Sequence, residues 1–397
     1  MDLALSAAPS GQPPIVQYVH RPGLVDLGWG HPDPSLLPVE AWQRARGAAL
    51  SEHGWRALTY GHARGPGPLL AWLGQRLGDV DGRPPAPDEL LITAGASQAL
   101  DLVASAVVKP GDVVLVESPT YHLALRILED HGASRVAAPG DEGGIDPAAT
   151  VARIDELRRL GRRVSMIYLV PTFGNPTGRS LSVARRRALA EVGARTGILV
   201  VEDDTYRELS YGPPAPASVW SHDAAGSVAR LGSFSKTVAP GLRLGWITAS
   251  AGLIQRLAGS GMLDSGGGLN HTTALAMGTF GTSGDYGRHL ERIRAAYRSR
   301  RDALAGALAT QLPELGLVVP EGGWFLWLRL PAGLSSSALL VAAEACGLSF
   351  LTGPRFFTGG GGDDRIRLAF SLFAPEILED AVGRLRRAFE RAGRGAG

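Results

Sequence analysis

The segment SVARRRALAEVGARTGILVVEDDTY, residues 182–206, contains the local pattern that is most informative about the fold class. Apolar residues recur at helical spacing in its first half, which predicts a helix. The second half is a short apolar run that ends in acidic residues, and such a run is typical of a strand buried on both faces of a parallel sheet. A helix that leads directly into a buried strand predicts a unit of an α/β domain.

Similar short apolar runs recur along the chain and alternate with longer helical patterns. They lie near residues 89, 112, 164, 227 and 242. This alternation predicts an α/β fold whose large domain has a mostly parallel, seven-stranded type of sheet sandwiched by helices. After about residue 265 the pattern changes to long helices and a few strands, which predicts a smaller α+β domain.

The chain has 397 residues and therefore exceeds the usual size of one domain. We predict a proline-rich N-terminal arm over residues 1–45 that joins the small domain or packs on another subunit. A large domain would follow over residues 46–265, and a small C-terminal domain over residues 266–397. The glycine runs 266–268 and 359–362 each predict a mobile lid or a connector, and we favour a connector for the second.

The composition favours a globular protein that acts on a small molecule. Hydrophobic residues make up 45% of the chain and charged residues 20%, and the net charge of +2 gives little reason to expect a nucleic acid or an anionic membrane as partner. No run approaches the roughly 18 consecutive apolar residues of a membrane span. The single cysteine, Cys346, cannot form an internal disulfide, and the N-terminus has no basic start or long apolar run, so we expect a cytoplasmic protein.

Lysine usage singles out two positions. Of the 40 lysine and arginine residues, only Lys109 and Lys236 are lysines. Under a compositional pressure toward arginine, a lysine persists most readily where arginine cannot replace it. Imine formation is such a task, because a guanidinium is never deprotonated. Lys109 lies in the turn VVKPGD, which favours simple exposure to solvent.

Several polar motifs follow predicted strands, where ligands bind in open α/β sheets. In TAGASQAL a strand runs through Gly95 into Ala96 and Ser97 and then directly into a helix. The free N–H groups and the dipole of a helix N-terminus favour a phosphate there. Ser97 is equally consistent with a simple helix cap.

Two further motifs have structural as well as functional interpretations. In ESPTY, the ring of Tyr121 follows a strand end and could stack on a flat heterocycle, although packing in the core also explains it. In PTFGNPTG, Asn175 presents an amide beyond a strand, although turn formation by Asn-Pro explains the residue types too.

The motif VVEDDTY places acidic residues at the end of a buried strand. A buried carboxylate needs a partner, and a protonated pyridine nitrogen beside Asp203 would supply one. Tyr206, three residues further on, could donate a hydrogen bond to a phenolic oxygen of the same ring.

The motif GSFSKTVAPGLRLGW combines two hydroxyls, an amine and a guanidinium. Ser233, Ser235 and Lys236 lie close together, and Arg243 follows the lysine by seven residues. This set matches an aldehyde that carries a phosphate, because arginine and hydroxyls bind phosphate and lysine binds the carbonyl carbon.

Taken in order, the motifs GASQ, PTY, NPTG, EDDTY and SFSK with GLRLGW resemble those of fold-type-I pyridoxal-phosphate enzymes. More narrowly, they resemble the class I/II aminotransferases that include 2-aminoadipate and kynurenine aminotransferases and the aminotransferase-like half of MocR-type regulators. The resemblance runs from about residue 25 to residue 390. It implies pyridoxal 5'-phosphate as cofactor and an L-amino acid as substrate; no metal is expected.

The resemblance implies a role for each matching residue. Lys236 would carry the cofactor as a Schiff base and later shuttle a proton, and Asp203 would keep the pyridine nitrogen protonated. Tyr206 and Asn175 would bind the phenolic oxygen, and Tyr121 would stack on the ring. The phosphate ligands would be Ala96, Ser97, Ser233, Ser235 and Arg243.

The resemblance also implies how substrate binds. Arg367 in RIRLAFS would clamp the α-carboxylate together with Asn175, and Gly30 would line the substrate pocket. Tyr60 in LTYGHARG resembles the tyrosine that reaches the phosphate of a neighbouring subunit, which implies a homodimer with shared sites. Two positions depart from the family: relatives often have a hydroxyl residue at the position of Ala96, and they usually have an apolar residue at the position of His31.

The motifs leave the reaction partly open. Transamination is the expected outcome, in a specialised bacterial pathway. The same scaffold also supports β-elimination by a C–S lyase, decarboxylation, oxidative deamination and cyclisation. A regulator of MocR type would need a winged helix before the aminotransferase-like pattern, which here begins near residue 25, so we expect an enzyme.

Overall fold

The computed structural model describes residues 16–17, 21–266 and 270–394. The start of the predicted N-terminal arm and most of the glycine run 266–268 therefore lie outside the described residues. The helices are α1 Val39–His53, α2 Gly67–Asp81, α3 Ala96–Val107, α4 His122–Asp130, α5 Pro147–Arg159, α6 Val183–Thr196, α7 Ala251–Ala258, α8 Gly261–Gly266, α9 His271–Thr282, α10 Asp285–Gln311, α11 Ser336–Glu344 and α12 Pro375–Arg394. The strands are β1 Val25–Asp26, β2 Leu90–Thr93, β3 Val113–Val116, β4 Ser134–Ala137, β5 Gly140–Asp141, β6 Gly144–Ile145, β7 Val164–Leu169, β8 Leu199–Asp203, β9 Val228–Ser233, β10 Gly245–Thr248, β11 Phe325–Arg329, β12 Leu348–Ser349, β13 Leu351–Thr352 and β14 Arg365–Ala369.

A seven-stranded sheet forms the centre of the molecule, in the order β2-β10-β9-β8-β7-β3-β4. Strand β10 runs antiparallel to both of its neighbours, and the pairs from β9 to β4 are parallel. The central strands are buried along their whole length, as their apolar sequences predict. The predicted mostly parallel sheet is therefore confirmed.

Helices cover both faces of this sheet. Helices α3, α4 and α7 pack on one face, where residues such as Leu91 and Ile247 point. Helices α5 and α6 pack on the opposite face of the parallel strands. Side chains alternate between the faces along each strand, so the core has two apolar layers with the sheet between them.

The last third of the chain builds a second, smaller sheet with its own helices. Strands β11, β14 and β13 form an antiparallel sheet, and β1 from the N-terminal segment pairs with β12. Helices α10, α11 and α12 pack together beside these strands. The N-terminal segment thus joins the C-terminal third, whereas the boundaries at residues 45 and 265 stay a prediction.

None of the helices in the described part of the chain is long and apolar enough to cross a membrane.

Candidate active site

The predicted site residues come together because several strands of the central sheet end at the same edge. Asp203 is the last residue of β8, and Ser233 is the last residue of the neighbouring β9. Ala96 begins the helix that follows β2, Tyr121 precedes the helix that follows β3, and Asn175 lies in the loop after β7. Parallel strands present their carboxyl ends on one side, so residues far apart in sequence become neighbours.

Lys236 lies just beyond the end of β9, against aromatic rings. Its Nζ is 4.7 Å from the centre of the Trp324 ring and 5.8 Å from that of Tyr206. Among residues 21–266 and 270–394, none forms a hydrogen bond or an ion pair with Nζ. Loss of surrounding water lowers the pKa of Lys236 to about 8; the Arg367 and Arg243 charges act in the same direction and Asp203 opposes them.

Asp203 is buried, and only one of its two carboxylate oxygens has a partner. Tyr168 Oη donates a hydrogen bond to Oδ2 at 3.0 Å, whereas Oδ1 is enclosed and accepts no hydrogen bond from any described residue. Burial raises the pKa of Asp203 to about 6. A buried oxygen that lacks a donor fits the protonated ring nitrogen that the sequence predicts beside it.

A group of donors surrounds the N-terminus of α3. Arg243 Nη2 donates to the carbonyl of Ala94 at 2.9 Å, and the backbone carbonyl of Arg243 accepts from the Asn270 amide. Ser233 Oγ and Ser235 Oγ are 2.9 Å apart on the neighbouring loop. The first N–H groups of α3 lie in the same place, so the donor set suits a phosphate.

Gly95 makes this arrangement possible. Its φ of +90° is in the region that favours glycine, and a Cβ at this position would lie 2.8 Å from Arg243 Nη2. A Cβ on Gly245, in β10, would lie 2.8 Å from the Gly95 backbone. Two glycines therefore let the guanidinium and the antiparallel strand approach the helix N-terminus.

Arg367 is a buried cation whose protein partners are all neutral. Nη1 donates to Asn175 Oδ1 at 2.8 Å and Nη2 donates to the Gly28 carbonyl at 2.5 Å, whereas Nε has no partner among the described residues. Its guanidinium also lies 4.0 Å from the centre of the Phe325 ring. Burial lowers the pKa of Arg367 to about 10. A buried guanidinium without a carboxylate partner is suited to a carboxylate from outside the chain.

Comparison with known proteins identifies the family. The family model for aminotransferase class I and II matches residues 23–385. The chain belongs to this family. The predicted family is thereby confirmed, and with it an enzyme of the transferase class that uses pyridoxal phosphate and acts on amino acids.

Individual members of the family are similar over nearly the whole chain. The sequence is 34% identical to the 2-aminoadipate transaminase of Thermus thermophilus over 95% of this chain and 92% of that protein. It is 32% identical to aromatic-amino-acid aminotransferase 1 of Thermococcus litoralis over 94% of this chain and 89% of that protein. The kynurenine aminotransferase of Pyrococcus horikoshii, solved in complex with PMP, is similar in structure with a TM-score of 0.87 and 31% identity, over 93% of this chain and 91% of that chain.

Other predicted residues of this aminotransferase surround Lys236 and Arg367. Tyr206 is buried with its ring beside Phe325 and Trp324, and desolvation raises the pKa of its phenol. Tyr121 lies at the start of α4, where desolvation raises its pKa to about 12. Gly30 packs under the Phe325 ring, because a Cβ there would lie 3.0 Å from the ring. These positions fit the ring-binding and pocket-lining roles that the resemblance implies.

Three predicted residues lie at the margin of the group or outside it. Ser97 is exposed on the first turn of α3. Tyr60 is 83% exposed. The His31 ring is partly buried and lies 5.2 Å from the Trp29 ring, tilted by 60° to it, and the pKa of His31 is lowered by desolvation and by the nearby charge of Lys236.

Some residues of the site were not predicted from the sequence. Tyr168 contacts Asp203, and Trp324 and Phe325 form the aromatic wall beside Lys236 and Arg367. A tyrosine within the aliphatic run VSMIYLV was a usable signal, because a buried hydroxyl needs a hydrogen-bond partner. Trp324 and Phe325 have no local signal, since aromatic residues in a short strand are usual in any core.

Proposed function

We propose that this aminotransferase binds pyridoxal phosphate covalently through Lys236 Nζ and transfers the amino group of an L-amino acid with an aromatic or other large neutral side chain. The observation that carries the proposal is the placement of the amine. Lys236 lies among Asp203, Arg243 and Arg367, and its lowered pKa makes the neutral nitrogen far more abundant near neutral pH than in an ordinary lysine. Such a nitrogen can attack a carbonyl carbon and can later accept a proton.

The described residues would hold the cofactor at both ends. The α3 N-terminus with Ser233, Ser235 and Arg243 would bind the phosphate, and Asp203 Oδ1 would bind the protonated ring nitrogen. When bound, pyridoxal phosphate supplies an electron sink for the negative charge that forms at the substrate Cα. Asp203 would contribute by placing its negatively charged carboxylate beside the protonated ring nitrogen.

The substrate would be oriented by Arg367 and its neighbours. Asn175 and the Gly28 carbonyl hold the guanidinium in place, so its free N–H groups can bind an α-carboxylate in a fixed orientation. Lys236 Nζ would then take the proton from the substrate Cα and return it to the cofactor side. Burial of these groups excludes the water that would otherwise compete for the carboxylate.

The proposed side-chain preference rests on the lining of the site. Phe325 packs on Arg367, Trp324 lies beside Lys236, and Trp29 packs against His31 with the two rings tilted. Aromatic rings favour apolar or aromatic side chains over a second carboxylate. The names of two similar proteins, an aromatic-amino-acid aminotransferase and a kynurenine aminotransferase, are consistent with this preference.

We also propose a homodimer in which Tyr60 serves the partner's site. Trp55, Leu58 and Tyr60 are 69%, 72% and 83% exposed, and together they form an apolar surface on and beside the 3₁₀ turn Gly54–Leu58. Large exposed apolar side chains in one place are typical of an interaction surface.

This apolar surface lies close to the phosphate end of the site. Helix α9 begins beside it, because the His271 ring bonds to the Arg56 carbonyl and Thr272 to the Ala57 carbonyl. The preceding residue, Asn270, bonds to the backbone of Arg243. A second copy that covers this surface would therefore bring its own Tyr60 near the phosphate ligands. The cytoplasmic location stays a prediction of the sequence.

The two lysines allow a direct test of the covalent link. The protein loaded with pyridoxal phosphate is reduced with borohydride and the modified peptide is mapped by mass spectrometry. Wild type and Lys109→Ala should be labelled at Lys236, and Lys236→Ala should show no label, because Lys109 is exposed and follows the C-terminus of α3, whereas the predicted phosphate ligands lie at the N-terminus of that helix. Label at Lys109, or on Lys236→Ala, would contradict the proposal.

The reaction type is tested with amino donors and no oxo acid. Transamination predicts that the loaded enzyme is converted stoichiometrically to the pyridoxamine form and releases the matching 2-oxo acid. Phenylalanine, tyrosine and kynurenine should convert it faster than glutamate or aspartate. Continuous release of ammonia, thiol or carbon dioxide would instead support elimination, oxidative deamination or decarboxylation.

A further inference from the structure

Tyr168 occupies an unusual place for a phenol. It lies in β7, whose residues Val164–Leu169 are buried throughout, and its own side chain is fully buried. Burying a hydroxyl there is unfavourable unless it finds a hydrogen-bond partner. The partner it finds is Asp203 Oδ2, at 3.0 Å.

The register of the sheet explains the contact. Tyr168 is opposite Val201 on the neighbouring strand β8, and Asp203 lies two residues beyond Val201 on the same face. Tyrosine is long enough to reach this diagonal neighbour, whereas the valines and leucines around it carry no donor. The hydroxyl fixes one oxygen of Asp203 and leaves Oδ1 without a protein partner.

We propose that Tyr168 is a positioning residue for Asp203: its hydroxyl holds Oδ2 so that Oδ1 remains charged and oriented toward the ring nitrogen of the cofactor. This inference rests on the proposed function of Asp203. Tyr168, in the interior of the sheet, would thus affect cofactor binding although it does not contact the substrate.

The charges around Asp203 determine the direction of the effect. The titratable groups that interact with it are Tyr168, Asp204, Tyr121, Tyr206 and Lys236. Burial and the Asp204 charge favour the protonated carboxyl group, whereas hydrogen bonding by Tyr168 and, to a smaller extent, by the side chain and backbone of Thr205 favours the charged carboxylate. Removing the Tyr168 hydrogen bond should therefore raise the pKa of Asp203 above its value of about 6.

The test compares Tyr168→Phe with a matched control, Tyr211→Phe. Tyr211 is also buried, and its hydroxyl also makes one hydrogen bond, to the Gly323 carbonyl. Each variant is titrated with pyridoxal phosphate across about pH 5 to pH 8, with the absorption band of the Lys236-bound cofactor as readout. Thermal unfolding of the unloaded proteins reports any general loss of stability.

We expect Tyr168→Phe to weaken cofactor binding by about tenfold near pH 7, because a hydrogen bond to a charged group is lost. Affinity should decline below about pH 8 in all variants as Lys236 gains its proton, and wild type should show a steeper decline near pH 6 as Asp203 gains its own; in Tyr168→Phe this steeper decline should begin at a higher pH. Tyr211→Phe should keep the wild-type pH dependence. Equal affinities and equal pH dependence for Tyr168→Phe and wild type would overturn the inference.

Asp203→Asn separates this inference from the proposed function. If Tyr168 acts through the carboxylate, adding Tyr168→Phe to Asp203→Asn should cause little further loss, so the two effects are strongly non-additive. Independent, multiplying effects would show that Tyr168 acts elsewhere. If Asp203→Asn alone leaves cofactor affinity unchanged, the proposed role of Asp203 fails, and the inference about Tyr168 fails with it.

Discussion

At the scale of single residues, desolvation determines the reactivity of Lys236. Its pKa of about 8 lies below the ordinary 10.5 of lysine, so the neutral amine is the main form above pH 8. Below that pH the neutral fraction falls about tenfold for each pH unit. Lys236 is thus prepared for attack on a carbonyl without a separate base.

The pKa of Lys236 predicts how the rate of cofactor binding to the unloaded protein depends on pH. The rate at which the covalent band of pyridoxal phosphate appears should rise with pH and level off above about pH 8, as the amine loses its proton. Stopped-flow absorbance across the pH range measures it, and Lys236→Ala serves as the blank. A rate that keeps rising through pH 10 would show that the amine has the pKa of an ordinary lysine.

Arg367 shows the same principle for substrate binding, since neutral protein groups orient it and leave its charge available. Arg367→Ala should lower kcat/KM for amino acids by about a hundredfold or more, because the substrate carboxylate would be buried without its partner. Arg367→Lys should recover only part of the loss, since lysine lacks the planar fork. Steady-state kinetics with a panel of donors measures these changes.

The control for Arg367 uses the same strand and a substrate without a carboxylate. Arg365 lies two residues away, partly exposed, near Asp364, and its replacement by alanine should leave kcat/KM within about twofold of wild type. A primary amine that lacks the carboxylate should react equally slowly with wild type and Arg367→Ala. A large loss with this amine would mean that Arg367 acts on the chemistry or the fold.

At the scale of secondary structure elements, the turn between β2 and α3 forms the phosphate end of the site. Gly95→Ala should weaken pyridoxal phosphate binding by about tenfold or more, because the new Cβ would displace the Arg243 guanidinium. Gly82→Ala is the matched control, since Gly82 also has a positive φ, of +74°, but no atom within 4 Å of an added Cβ. Both variants should lose some thermal stability, and only Gly95→Ala should lose cofactor affinity.

The elements also show what the sequence could and could not predict. Asp203, Ser233 and Asn175 were found because the first two end recognisable apolar strands and the third lies in the loop after one, and ligands bind at strand ends in this fold class. The antiparallel direction of β10 was not predicted, because a short apolar run has the same appearance in either direction.

Long-range contacts could not be predicted from local sequence patterns. Asp81, at the end of α2, forms a buried ion-pair cluster with Arg207 and Arg230, more than a hundred residues away, and Asp204 joins it. Nothing in the sequence around Asp81 differs from an exposed helix end. Such pairs are decided by which helix covers which face of the sheet, and that follows only from the complete topology.

At the scale of the whole molecule, one chain carries all the described contacts of Lys236, Asp203 and Arg367, whereas Tyr60 is 83% exposed to solvent. An exposed tyrosine with a predicted phosphate role makes sense if two chains exchange it. A symmetric dimer would do this twice, once for each site. Wild-type protein should accordingly behave as a dimer in sedimentation, and Leu58→Asp, in the exposed apolar surface, should shift it toward the monomer.

Mixed dimers can show directly whether Tyr60 acts in the partner's site. Lys236→Ala should be inactive, and Tyr60→Ala should bind the cofactor weakly. In a mixed dimer of the two variants, the intact Lys236 of one chain would meet the intact Tyr60 of the other, so one complete site is restored. Random mixing should then recover about a quarter of the wild-type sites, since about half of the dimers are mixed and each has one complete site. If Tyr60 served its own chain, neither site of the mixed dimer would be complete, and mixing would restore no activity. The negative control is a mixture of Lys236→Ala with Arg367→Ala, because these two residues belong to the site of the same chain.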